Sequence, residues 1–178
     1  EIVSLLRSVN FFNLSKIQIL EIKETMTSLN TSVIIIAAGP GSRLKKYTDN
    51  LPKCMLDFAG KTLLQRQLEA FKINGLNKIS VIRGFKKEKI NYPDLSYFEN
   101  KDYKNNNILN SLMYAEEALN GHVIVSYSDI LFEKEVVKRL MESEHEISIV
   151  VDIDWRGYYI NRKDHPINEA ENVIFDAN

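Results

Sequence analysis

Apolar and polar residues alternate along most of the chain in a way that separates strands from helices. Five short runs are typical of strands, and the first of them is apolar and rich in β-branched residues, as in a buried parallel strand. They are Val33–Ala38, Lys78–Arg83, Leu95–Glu99, Val123–Tyr127 and Ile147–Ile153. Between them, apolar residues recur at helical spacing in Leu63–Asn74, Ile108–Leu119 and Glu133–Ser143. Strands that alternate with helices predict an α/β fold in which most strands run parallel.

Residues 1–30 have a different pattern. Ser15 and Gln18 form a capping box ahead of apolar residues at helical spacing. Further apolar residues precede Ser15, and a hairpin of two helices is the simplest interpretation. We therefore expect residues 1–30 to be a helical extension or the end of an upstream module. Residues 31–178 are expected to form the main domain, cut short at its C-terminus.

Charge and cysteine content exclude several classes of protein. Among 178 residues, 23 are Lys or Arg and 24 are Asp or Glu, so the net charge is −1. No broad basic surface is available to attract nucleic acid or anionic lipid. The single cysteine, Cys54, excludes an internal disulfide and a zinc cluster, and we expect a small buried hydrophobe. No apolar run approaches membrane-spanning length, so we expect a cytoplasmic protein that binds neither nucleic acid nor membrane.

A glycine-rich loop follows the first predicted strand. The sequence Ala37-Ala38-Gly39-Pro40-Gly41-Ser42-Arg43 is followed ten residues later by Pro52-Lys53. Glycines let backbone N–H groups approach an anion closely, and such groups of amides bind phosphate. Arg43 adds a forked cationic donor and Lys53 a second cation. The pattern predicts a site for a nucleoside triphosphate where the first strand ends.

Two other phosphate-binding motifs are excluded. The dinucleotide fingerprint requires a third glycine at position 44, which is Leu44. Gly60-Lys61-Thr62 is similar to the end of a Walker motif, but the first glycine of that motif would fall on Met55. Thr62 and Gln65 instead form a capping box for the helix that follows.

Residues 37–53 resemble the nucleotidyltransferases that make nucleoside-diphosphate sugars and cytidine-diphosphate alcohols. The family motif is a strand, Ala-Ala-Gly-x-Gly-x-Arg, and then Pro-Lys about ten residues later, which this sequence matches without a gap. An asparagine-containing segment before Ser111-Leu112 is similar to the bacterial choline-phosphate and 2-aminoethylphosphonate cytidylyltransferases. The resemblance implies a Rossmann-like, three-layer α/β/α fold with a mixed, mostly parallel sheet. It also implies Mg²⁺-dependent transfer of CMP from CTP to a small phosphorylated or phosphonylated alcohol or amine.

The same resemblance assigns roles to individual residues. The backbone of the glycine loop and Arg43 would hold the β- and γ-phosphates, and Lys53 would reach the α-phosphate and the incoming anion. Asp129, at the end of a predicted strand, would bind Mg²⁺. A second metal carboxylate would lie beyond the sequence, with Asp152 and Asp154 as weaker candidates. The expected nucleotide-binding residues are Ala37, Ala38, Gly39, Gly41, Ser42, Gly84, Phe85, Asn107 and Ser111.

A late aromatic segment is the candidate acceptor site. Trp155 and Tyr158 could stack on a cationic acceptor while Asp152 or Asp154 neutralises it. His165 and Glu169 follow in a segment similar to sequences beside cytidylyltransferase modules. The alternative is an aromatic cluster that covers the sheet.

Two other functions stay open. One is a sugar-1-phosphate nucleotidyltransferase that uses UTP or dTTP. The other is a regulatory or assembly domain with the same fold and weak catalysis, for which the missing second carboxylate argues. The intact Arg43, Lys53 and Asp129 argue for an enzyme. A homodimer, or fusion to another enzyme module, is compatible with each of these functions.

Overall fold

The computed structural model describes residues 2–4, 30–160 and 167. Within them, the strands are β1 (Ile2–Ser4), β2 (Thr31–Ala37), β3 (Asp57–Phe58), β4 (Lys61–Thr62), β5 (Ile79–Arg83), β6 (Ser96–Glu99) and β7 (His122–Tyr127). The α-helices are α1 (Leu63–Ile73), α2 (Ile108–Met113) and α3 (Lys134–Met141). Short 3₁₀ helices span Ser42–Tyr47, Lys53–Met55, Lys87–Lys89, Glu116–Ala118 and Trp155–Tyr159.

A five-stranded sheet with the order β1-β7-β2-β5-β6 forms the centre of the fold. Every pairing in it is parallel, and β2 lies in the middle, with Val33 opposite both Ile79 and Ile124. The antiparallel part is a separate hairpin of β3 and β4. Parallel strands need crossover connections, and those from β2 to β5 and from β6 to β7 contain α1 and α2. The predicted Rossmann-like α/β fold is confirmed.

Apolar side chains cover both faces of the sheet. Val33 and Ile35 pack on one face with residues of α1 and α3, including Phe71 and Val137. Ile34, between them on β2, packs on the opposite face with the region around α2. Successive strand side chains point to opposite faces, so a strand that is apolar at every position requires helices on both sides. The result is three layers.

Helix α1 begins and ends as its sequence predicts. The Thr62 hydroxyl accepts a hydrogen bond from the Gln65 N–H at 3.0 Å. At the other end Gly75 has a φ of +77°, and the N–H groups of Gly75 and Leu76 donate to the carbonyls of Lys72 and Phe71. A left-handed glycine with this pair of bonds is a common helix terminus.

Two of the predicted elements are wrong in part or in full. Ile147–Ile153 is not a strand. Ile147 and Ile153 are 68% and 73% exposed, and the segment has only an isolated β-bridge at Ile149 and the packing of Val150 against the core. The helix predicted for Ile108–Leu119 ends at Met113. After Met113 the backbone makes 3₁₀-type hydrogen bonds between residues three apart, such as the one from the Ala115 N–H to the Leu112 carbonyl. Ala115 is buried.

The N-terminal segment is only partly described. Residues Ile2–Ser4 form strand β1 and pair with β7, so a helix does not extend over these three residues. The Ser15 capping box and the predicted helical stripe after it lie outside the described residues. None of the described helices combines the length and the apolar character needed to cross a membrane.

Candidate functional site

A cavity of about 580 Å³ opens where β2 and β7 end. In parallel sheets, the carboxyl ends of the strands are the usual place for ligands. The cavity is lined by residues from the glycine loop, the 103–111 segment and the turn after β7: Ile36, Ala38, Gly39, Gly41, Arg43, Leu44, Lys53, Tyr103, Asn106, Asn107, Ile108, Ser111, Tyr127, Ser128, Asp129, Ile130 and Tyr159.

The glycine loop is shaped by Gly41, which has a φ of +63°. Its carbonyl accepts hydrogen bonds from the Leu44 N–H at 3.0 Å and the Thr48 hydroxyl at 2.9 Å. A Cβ added at Gly41 would lie 3.0 Å from the Cβ of Lys53. Glycine is therefore needed for both the backbone conformation and the close approach of Lys53.

Lys53 and Asp129 form an ion pair inside this cavity. The Lys53 Nζ donates to Asp129 Oδ2 at 2.7 Å, and the two side chains are 31% and 35% exposed. Arg43 lines the same cavity. The two cations predicted from the glycine loop and Pro52-Lys53 thus face one space, together with the carboxylate predicted at the end of β7.

Cys54, next to Lys53, is buried and 1% exposed, as predicted. Burial raises the pKa of its thiol to about 12, although a hydrogen bond with the Ser128 side chain opposes the rise. The thiol is therefore protonated and unreactive near neutral pH. Its contact with Ser128 links the Lys53 turn to the Asp129 turn.

The donor set fits a magnesium ion that is shared with substrate phosphates. Asp129 is the one carboxylate among the described residues that line the cavity, and the described chain contains no cluster of three or more potential ligands. Mg²⁺ commonly uses one or two carboxylates plus phosphate oxygens and water. A carboxylate bonded to Lys53 keeps lone pairs for a metal. Asp152 and Asp154 do not line the cavity, and the Asp154 N–H donates to Asp152 Oδ1 at 2.9 Å.

A network of asparagines holds the segment around residues 100–111. The buried Asn100 donates from Nδ2 to the Ser111 hydroxyl at 2.8 Å and accepts from Asn106 Nδ2 at 3.1 Å. The Asn107 side chain caps α2 by accepting from the Asn110 N–H at 2.8 Å. Asn107 and Ser111 both line the cavity, with these oxygens already bonded inside the protein. Their contact with a base or an acceptor stays a prediction.

Gly84 and Phe85 join the glycine loop to this network without lining the cavity. The Phe85 N–H donates to the Ala38 carbonyl at 2.9 Å. A Cβ on Gly84 would lie 2.9 Å from the carbonyl oxygens of both Ala38 and Asn100. Gly84 therefore allows the backbone at Ala38 and the backbone at Asn100 to pack closely on either side of it.

None of the predicted acceptor residues whose side chains the structure describes lines the cavity. Trp155 does not line it, but packs edge-on against Tyr159, which does. The Tyr158 side chain, His165 and Glu169 lie outside the described residues. Of the remaining predicted residues, Ala37 is buried and Ser42 is exposed, and neither lines the cavity.

Three tyrosines were missed by the sequence analysis. Tyr103, Tyr127 and Tyr159 line the cavity. Tyr127 ends strand β7, directly before Ser128-Asp129, and this position could have indicated it. Tyr103 lies on an irregular segment and Tyr159 ends a 3₁₀ helix, and no sequence period reveals the path of either.

A Rossmann-like sheet with a glycine loop after its central strand β2, and with Arg43 and Lys53 facing the same cavity, is the arrangement that the resemblance to nucleotidyltransferases implied. A family model for the MobA-like NTP transferase domain matches residues 33–166, and the chain belongs to this family. The resemblance inferred from residues 37–53 is confirmed.

Relatives of known activity include two cytidylyltransferases. The CTP:phosphoglutamine cytidylyltransferase of Campylobacter jejuni is 31% identical over 153 residues, which are 80% of this chain and 60% of that protein. The choline-phosphate cytidylyltransferase of Streptococcus pneumoniae is 36% identical over 96 residues, 51% of this chain and 42% of that protein. A solved structure of the CTP:phosphocholine cytidylyltransferase from that species has a TM-score of 0.54 at 30% identity, covering 60% of this chain and 50% of its own.

A sugar-phosphate enzyme also matches. The UTP–glucose-1-phosphate uridylyltransferase AglF of Haloferax volcanii is 28% identical over 134 residues, 68% of this chain and 54% of that protein. The chain thus spans about half the length of the curated relatives it matches.

Proposed function

We propose that the protein transfers CMP from CTP to a small phosphorylated or phosphonylated alcohol or amine and releases pyrophosphate. The observation that carries this proposal is the meeting of Arg43, Lys53 and Asp129 in one cavity bordered by the glycine loop. The cytidylyltransferases among the relatives support the choice of base.

The reaction depends more on the positioning of the two substrates than on an activated side chain. An acceptor phosphate oxygen attacks the α-phosphorus of CTP, and the bond from this phosphorus to the oxygen bridging to the β-phosphate breaks. The acceptor has a second pKa of about 6, so it is ionised near pH 7 and needs no general base. The obstacle is the approach of two anions, which fixed cations and N–H donors overcome.

Each residue of the site has a role in that approach. The glycine-loop N–H groups and Arg43 would bind the β- and γ-phosphates, which become the leaving group. Lys53 would bind between the α-phosphate and the acceptor. Asp129 holds the Lys53 ammonium in the cavity at 2.7 Å, so the cation is oriented before substrate arrives.

Asp129 would also hold the metal ion. Mg²⁺, when bound, supplies neutralisation of charge on the phosphates. Asp129, which accepts a hydrogen bond from the Lys53 Nζ, would then serve both Lys53 and the metal ion.

The acceptor class is inferred from the aromatic lining. Tyr103, Tyr127 and Tyr159 line the cavity, and the face of a tyrosine ring attracts quaternary or primary ammonium groups. A phosphocholine-like or aminoethylphosphonate-like acceptor matches this environment better than an uncharged hexose ring does.

The test is pyrophosphate release with Mg²⁺ and each of CTP, UTP, dTTP, ATP and GTP. Every nucleotide is paired with phosphocholine, 2-aminoethylphosphonate and glucose 1-phosphate, and nucleotide binding is measured in parallel by calorimetry. We expect turnover with CTP and one of the two amine-containing acceptors. Turnover with glucose 1-phosphate alone would assign the sugar-nucleotide function. Binding of CTP without turnover of any pair would assign a regulatory domain.

A further inference from the structure

Helix α1 contributes one buried amide to the turn that carries Asp129. Gln67 is 1% exposed, and its Nε2 donates to the Tyr127 carbonyl at 2.8 Å and to the Ile130 carbonyl at 2.6 Å. These carbonyls lie on either side of Ser128-Asp129. The two N–H bonds of one amide therefore close the turn around the carboxylate.

The orientation of this amide is fixed by its neighbours. The reverse orientation would place Oε1 against two carbonyl oxygens, which cannot donate. In the observed orientation, Oε1 is buried and finds no hydrogen-bond partner among the described residues. A buried oxygen without a partner costs free energy. Because of this cost, the two hydrogen bonds from Gln67 to the turn explain the residue better than a contribution to the stability of α1 does.

Two other contacts anchor the same turn. The Ser128 N–H donates to the Ile36 carbonyl of β2 at 3.2 Å, and Asp129 pairs with Lys53 at 2.7 Å. Together with Gln67, these contacts tie the turn to the sheet, to the segment after the glycine loop and to α1. The Asp129 carboxylate is thereby held at a set distance from the phosphate-binding backbone.

We propose that Gln67 is a positioning residue for Asp129, which orients the carboxylate toward both Lys53 and a metal ion bound to substrate phosphates. This proposal rests on the proposed function of the cavity. Gln67 touches neither nucleotide nor acceptor, since it does not line the cavity. It acts through the backbone of the turn, and loss of such outer support typically lowers metal affinity about 10–100-fold.

Asn74 provides a matched control at the other end of the same helix. Its Nδ2 also donates to two carbonyls, those of Ala70 at 2.8 Å and Lys134 at 2.9 Å. Asn74 does not line the cavity either. Replacing Gln67 with Met and Asn74 with Leu removes the same double donor in each case and preserves side-chain size.

The experiment compares Gln67→Met, Asn74→Leu and the unaltered chain in three measurements. Hydrogen exchange of residues 124–133 reports the turn in the absence of substrate. Electron paramagnetic resonance with Mn²⁺ and CTP reports metal affinity without turnover. Pyrophosphate release as a function of Mg²⁺ concentration reports catalysis.

Gln67→Met is expected to speed exchange at residues 127–130 and to weaken Mn²⁺ affinity about 10–100-fold. High Mg²⁺ should restore much of its turnover, which a global loss of folding would not allow. Asn74→Leu is expected to change none of these. Equal effects of the two variants, or an unchanged Mn²⁺ affinity in Gln67→Met, would overturn the proposal.

The experiment also covers two cases in which the main comparison fails. If Gln67→Met does not fold, Gln67→Asn shortens the same amide by one methylene and should weaken metal affinity in the same direction. If the unaltered chain binds Mn²⁺ and CTP but turns over no acceptor, the proposed function fails. The exchange and metal-binding measurements still decide the role of Gln67.

Discussion

The Lys53 ammonium lies 2.7 Å from the Asp129 carboxylate, although 76 positions separate the two residues. Parallel pairing of β2 with β7 brings the segments that follow these strands to the same edge of the sheet. With each side chain about one-third exposed, an ion pair of this kind contributes only about 0–1 kcal/mol to stability. Its significance is therefore geometric, since it holds a cation and a potential metal ligand in one cavity.

Lys53→Ala is expected to lower kcat about 10²–10³-fold, the usual effect of removing one preorganised donor. The free energy of unfolding should change by less than about 1 kcal/mol. Lys61→Ala is the control, because Lys61 forms an ion pair of the same length with Glu69 outside the cavity. Kinetics of pyrophosphate release and urea unfolding measure both effects. Retention of activity within a few fold in Lys53→Ala would remove Lys53 from the mechanism.

Asp129→Asn should abolish the response of turnover to Mg²⁺ over the range in which the unaltered chain is activated. The amide keeps the size of the side chain but removes the charge that pairs with Lys53 and that would attract the proposed metal. Asp94→Asn is the control, since Asp94 pairs with Lys72 at 3.4 Å on the surface. A normal Mg²⁺ titration curve for Asp129→Asn would show that the metal is held elsewhere.

Gly84→Ala is expected to destabilise the fold by about 1–3 kcal/mol, the range for overpacking a tight site. The added methyl would lie 2.9 Å from two backbone carbonyl oxygens and from the Cβ of Tyr103, none of which is the end of a flexible side chain. Gly157→Ala is the control, because its added methyl meets no atom within 4 Å. Equal midpoints of urea unfolding for the two variants would contradict this account of Gly84.

Cys54 should make stability fall with rising pH in the alkaline range. Burial raises its pKa in the folded state from 9.0 to about 12. Below pH 9 the thiol is protonated in both states, and between pH 9 and 12 only the unfolded chain loses the proton, which favours unfolding. The difference in unfolding free energy between the unaltered chain and Cys54→Ala should therefore shrink above pH 9.

A thiol reagent should also react with Cys54 in the folded protein at pH 8 far more slowly than in the unfolded chain. Fast reaction with the folded protein would contradict the burial of this thiol.

The sequence predicted the central elements well because burial determines them. The strands around Val33, Val81 and Ile124 are apolar at nearly every position, and their observed bounds lie within two residues of the predicted ones. The same reasoning was wrong for Ile147–Ile153. Alternation there shows that one side could be buried, but it cannot show whether another strand lies beside it.

The candidate site was predictable where its residues lie in one motif or directly at a strand end. Arg43 and Lys53 lie in the motif, Asp129 follows the end of β7, and all three line one cavity. The prediction named Trp155 and Tyr158 and missed their neighbour Tyr159. The direction of a side chain on a 3₁₀ turn depends on the path of the loop, which the sequence pattern does not reveal. Gln67 was missed because a polar residue on a buried helix face gives no indication of its distant backbone partners.

The parallel pairings of the described central sheet also favour one order of assembly over another. Each pairing joins distant residues, and the loop from Val33 to Ile79 is much shorter than the loop from Val33 to Ile124. Since closing a longer loop costs more chain entropy, β2 and β5 should associate around α1 before β7 docks. The segment bearing Asp129 arrives with β7. We therefore expect a refolding chain to pair β2 with β5 before it gains the segment that bears Asp129, and β1 can dock only after β7 is in place.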